Sequence, residues 1–105
     1  MNKIESISIL GSEWTIKWEL TEEDEGYSST YAWRREIHMD TSPKVENIEE
    51  LVRHEIIHAF QFESGLAFNW EHKPLGVEET TVDWFAIQWP KINKVFKLLE
   101  VEECK

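Results

Sequence analysis

The chain has 105 residues, 41% hydrophobic and 30% charged, with a formal net charge of −10. That length suits one domain, expected over residues 1–105, and the composition is that of a globular protein. The acidic balance opposes nucleic-acid and acidic membrane partners, no apolar run approaches the roughly 18 residues of a membrane span, and the single Cys104 excludes an internal disulfide.

Residues 1–14 lack the apolar block and small-residue cleavage site of a secretory signal, so a cytoplasmic protein is expected. Residues 4–10 alternate apolar and polar side chains through Ile4, Ile7 and Ile9, and Gly11-Ser12 breaks the run. Alternation resumes over 14–20 through Trp14, Ile16, Trp18 and Leu20, which predicts a β-hairpin. The acidic stretch from Glu22 to Glu25, followed by Gly26, predicts a solvated loop. Residues 31–39 predict a third strand, ended by Asp40, Ser42 and Pro43, with its Arg35–Met39 part expected at a sheet edge.

The period then becomes helical. Asn47 and Glu50 resemble a capping box and predict a helix over 48–64, closed by Gly65 in the left-handed conformation. Residues 66–76, with Pro74 and Gly76, are expected to be irregular. A second helix is predicted over 77–89, with Val82, Phe85, Ala86 and Trp89 on its core stripe. Pro90 is expected to end it and to start a third helix carrying Ile92, Val95, Phe96 and Leu99. Strands first and helices afterwards predict an α+β domain: a small antiparallel sheet of about three strands, packed on two long helices and a C-terminal helix. The six tryptophans are expected mainly in the core, Trp70 excepted because it falls in the loop between the first two helices.

The chemistry centres on His54-Glu55-Ile56-Ile57-His58, an HExxH sequence on the first helix. At ~100° per residue, the two histidines lie about 40° apart and one turn apart along the axis. Both imidazoles can therefore reach one divalent ion. Glu55, roughly 60° beyond His58, stands beside that ion without ligating it and can take a proton from a water held there. Zinc is the expected cofactor, since two neutral nitrogens and one carboxylate suit it.

A catalytic zinc takes three protein ligands and leaves one position open. Glu63 lies on the same helix, turned off the metal face, and the metzincin position six residues after His58 holds Ser64. Glu79 is the first choice as third ligand, because Asp83 follows one turn later and can accept the outer N–H of a ligating histidine. Glu78 and His72 are the alternatives. An acidic first turn favoured by the helix dipole would equally account for Glu78 and Glu79. His72 is also the first candidate to stabilise an oxyanion, followed by Tyr27, Tyr31 and His38.

HExxH followed by ExxxD resembles the gluzincin metallopeptidases. The small size and the segment EETTVDWFAIQWP look more specifically like the ImmA/IrrE-like metallopeptidases and the short HExxH proteins of phages and prophages. The resemblance covers about residues 50–90. It implies a minimal zincin-like fold, His54, His58 and Glu79 as zinc ligands, Glu55 as general base, Asp83 as a partner of a ligating histidine, and a peptide or protein substrate. Two other functions stay open: a non-catalytic zinc-binding or interaction protein, and a metal hydrolase with a non-peptide substrate.

Overall fold

The computed structural model describes residues 3–65 and 77–100, and within the second span the side chains of 84–99. Strands β1 (Ser6–Ile9) and β2 (Ser12–Lys17) pair antiparallel with Ile7 opposite Trp14. Their turn places Leu10 and Gly11 at φ 49° and 88°, the paired positive values that match the twist of a two-residue hairpin. Ile7, Ile9, Trp14 and Ile16 are buried on one face, while Ser6, Ser8, Glu13, Thr15 and Lys17 are exposed on the other. One covered and one solvated face is what this alternation dictates.

The third strand departs from expectation. Residues 31–39 are not one strand, because a 3-10 turn (Ala32–Arg34) and Arg35 at φ 52° divide them. The result is β3 (Ser29–Tyr31) and β4 (Glu36–His38). The sheet thus has four strands in the order β1-β2-β4-β3 and is mixed, not purely antiparallel, since β4 runs parallel to β2. The chain after β2 passes through a 3-10 turn (Glu22–Asp24), β3 and the second 3-10 turn before entering beside β2. That path brings β4 inside the sheet and leaves β3 at the edge. The edge expected at Arg35–Met39 is therefore supplied by Ser29–Tyr31. The expected loop at 22–25 holds the first 3-10 turn, with Asp24 buried.

Helix α1 (Ile48–Glu63) starts at Asn47, whose side chain accepts the Glu50 N–H at 3.0 Å, and closes at Gly65 with φ 83°. Its buried stripe, Val52, Ile56, Ala59 and Phe60, lies in one cluster with Ile7, Ile9, Trp14, Ile16, Ile37 and Met39 from the sheet region. Helix α2 (Val77–Glu100) is continuous through Pro90, where a break was expected. Proline removes one backbone donor. The burial of Trp84 before it and Ile92, Val95, Phe96 and Leu99 after it holds both halves in one rod. That shared face turns the expected core residues Phe85, Ala86 and Trp89 outward; Phe85 and Trp89 stack with ring centroids 5.4 Å apart. Val82 and Trp70 lie outside the described side chains. Trp33 is 80% exposed, against the expectation of a core position. Among the described residues no helix is long and apolar enough to cross a membrane.

A polar cluster closes the other face of the β3–β4 end. His38 is fully buried, with Nδ1 3.0 Å from both Asp24 carboxylate oxygens and Nε2 3.0 Å from Glu36 Oε1. The Tyr31 hydroxyl also donates to Asp24, and Arg34 spans Glu23 and Glu36. Burial by itself would raise the Asp24 carboxyl. Bonds from the Thr21 N–H, Tyr31 and His38 outweigh it and lower the pKa from 3.8 to about 2. A carboxyl depressed on folding contributes stability above its unfolded value, and that stability is lost as pH falls through the folded one. The urea midpoint should therefore drop between about pH 4 and pH 2. Asp24→Asn should be less stable by about 1–3 kcal/mol at neutral pH and show a shallower acid limb.

Candidate metal centre

The core stripe sets the rotation of α1. At ~100° per residue, Glu55 falls about 85° and the two histidines about 145–175° from the centre of that stripe. Glu55 is accordingly 5% exposed, whereas His54 and His58 are on the solvent side. The two imidazoles meet edge to face, and their Nε2 atoms are 3.1 Å apart. Two nitrogens bound to one tetrahedral zinc at about 2.0–2.1 Å are about 3.3 Å from each other. The observed separation is within a few tenths of an ångström of that spacing.

The other ring nitrogen of His58 is also engaged. Nδ1 lies 3.1 Å from Gln61 Oε1, one helical turn on. When Nδ1–H donates to that amide oxygen, the lone pair of a neutral His58 is on Nε2, the atom facing His54. Glu55 is held from the sheet. The Thr30 hydroxyl donates to Glu55 Oε1 at 2.6 Å and lies 3.2 Å from the Glu55 carbonyl oxygen. Thr30 pairs with Ile37, so it shares the helix-facing side of the sheet, while Tyr31 points to the opposite side and Asp24.

The remaining expectations divide. Glu63 is not a ligand: its carboxylate accepts from Ser12 Oγ at 3.1 Å, Trp14 Nε1 at 2.9 Å and Arg35 Nε at 2.6 Å. Burial would raise Glu63, but those donors, Arg35 foremost, keep it below the usual carboxylate range. Glu78, Glu79 and Asp83 fall on the first turns of α2, with their side chains outside the described residues. His72 lies outside the described residues altogether. Among the described residues no three His, Cys, Asp or Glu side chains gather as a metal site requires, so a third ligand would come from beyond them. Tyr31 and His38, considered as oxyanion donors, are committed to the buried Asp24 cluster. Tyr27 is 75% exposed at the rim of the cavity beside Glu55.

Sequence reasoning missed Thr30 and Gln61. Gln61 was accessible, since a residue three positions after His58 neighbours it on a helix. Thr30 leaves no trace in spacing, being 25 residues from Glu55.

No protein-family model, curated protein or solved structure matches the chain. The site stands on its own geometry.

Partners of a ligating histidine typically change metal affinity by about 10–100-fold. Gln61→Ala should accordingly weaken zinc binding by about that factor, measured by competition with a chromophoric chelator. An unchanged affinity would detach Gln61 from the metal centre.

Proposed function

We propose that the chain is a zinc-dependent peptidase of minimal zincin-like architecture, with His54, His58 and Glu79 as metal ligands and Glu55 as general base. The observation that carries this is the 3.1 Å separation of the two Nε2 atoms, beside a buried carboxylate fixed by a hydroxyl. Such a pair on one helix face, with Glu55 next to it, is the arrangement that hydrolytic zinc chemistry needs. The resemblance to gluzincin and ImmA/IrrE-like metallopeptidases points the same way.

A bound zinc would polarise the substrate carbonyl and acidify a water. The chain's own groups do the rest. Gln61 sets the tautomer of His58, and Asp83 would serve another ligating histidine in the same manner. Thr30 engages one oxygen of Glu55 and restricts the rotation of the carboxylate. Glu55 takes the proton of the attacking water and returns it to the departing amine. His72 would donate to the developing oxyanion. The substrate is a peptide or protein, and the compartment the cytoplasm.

Zinc content and cleavage of a mixed peptide library, followed by mass spectrometry, test this on the full chain. Glu55→Gln should retain one zinc per chain and lose about 10²–10⁴-fold in turnover, while His58→Ala should lose both. A wild-type protein that holds zinc and cleaves no peptide would be a binding module or a hydrolase of a non-peptide substrate, which a substrate screen on the zinc-loaded protein separates.

A further inference from the structure

Thr30 meets Glu55 with one proton and two acceptors. Its hydroxyl oxygen is 2.6 Å from Glu55 Oε1 and 3.2 Å from the Glu55 carbonyl oxygen. A hydroxyl carries a single hydrogen, which goes to the better placed acceptor. Here that is the carboxylate, closer by roughly half an ångström. A displacement of β3 by about that much would hand the proton to the backbone carbonyl and leave the carboxylate free to turn.

Backbone pairing alone is a weak guarantee of that tolerance. Among the described residues β3 is paired with β4 only, over three residue pairs. The next residue, Tyr31, carries the stronger restraint. Its hydroxyl donates to Asp24, its ring centroid is 4.8 Å from that of His38, and the Arg34 guanidinium stands 4.3 Å over it. Asp24 is fixed in turn by the Thr21 N–H at 2.7 Å and by His38 Nδ1 at 3.0 Å, with its side chain fully buried. A buried carboxylate held in this way cannot shift without leaving a polar group unpaired, so the Tyr31 hydroxyl has a fixed anchor. Planar peptide geometry holds consecutive Cα atoms about 3.8 Å apart, and an anchored Tyr31 therefore limits where Thr30 can stand.

We infer that Tyr31 and Asp24 are positioning residues for the general base: through β3 they keep the Thr30 hydroxyl on the Glu55 carboxylate and off the Glu55 carbonyl. The part in catalysis rests on the peptidase reading; the mechanical coupling of Tyr31 to Thr30 does not. Neither positioning residue is bonded to His54, Glu55 or His58. Their loss should spare zinc and substrate binding and act on proton transfer.

Tyr31→Phe keeps the ring and removes its bond to Asp24. In the zinc-loaded full chain it should lower kcat for peptide cleavage about tenfold, with KM and zinc content unchanged. In a Thr30→Val background the same substitution should lower kcat no further, because the hydroxyl it aims is gone. Ile92→Val, a mild loss of packing in α2, should leave kcat as it is and so controls for stability. A second readout needs no turnover: three-bond couplings to the Thr30 methyl carbon report its χ1. One rotamer is expected in the wild type, and averaged couplings in Tyr31→Phe and in a second variant, Asp24→Asn. Thr30 couplings unmoved in both variants, an unchanged kcat, or an equal kcat loss with and without the Thr30 hydroxyl would overturn the inference. Averaged couplings in a protein that cleaves no peptide would sink the peptidase and keep the coupling. Cleavage with Thr30 unmoved would do the reverse.

Discussion

The rotation of α1 about its own axis is the constraint on which the site depends. Val52, Ile56, Ala59 and Phe60 leave water only if that one stripe faces the sheet, and every other position on the helix follows. A turn of one residue's worth would bury an imidazole and expose Glu55. Axial position is set separately by Glu63, whose nearly buried carboxylate ties the last turn to Ser12, Trp14 and Arg35. Removing one of those donors would leave a charge with too few partners in a poorly hydrated place, which is more costly than the loss of a surface ion pair.

β3 connects two polar systems through the two-residue period of a strand. Thr30 faces the helix and holds Glu55; Tyr31 faces away and joins the cluster of Asp24, His38 and Glu36. The strand is only three residues long and has one neighbour, β4, so its backbone pairing alone restrains it weakly. The bonds on its two faces add what the short ladder lacks. The buried His38 cluster is in this sense part of the support of Glu55, although it makes no contact with it.

The placement of polar groups is economical around the proposed metal. The two histidines stand in solvent, where an imidazole needs no protein partner, and Glu55, the one buried carboxylate of the motif, has a hydroxyl bonded to it. The long α2 completes the core through Trp84, Ile92, Val95, Phe96 and Leu99, and Trp84 Nε1 donates to Ser64 Oγ at the end of α1.

Local pattern sufficed for the hairpin, for both ends of α1 and for the convergence of His54 and His58. Alternation, a capping asparagine, a closing glycine and the one-turn spacing of two histidines all act over a few residues and can be read from them. Tertiary structure alone decided the parallel entry of β4, the edge position of β3, the course of α2 through Pro90 and the bond from Thr30 to Glu55. Each is settled by which distant segments bury surface against one another. A contact across 25 residues leaves no period in the sequence, and a proline's lost hydrogen bond is outweighed only where both halves of the helix share a buried face.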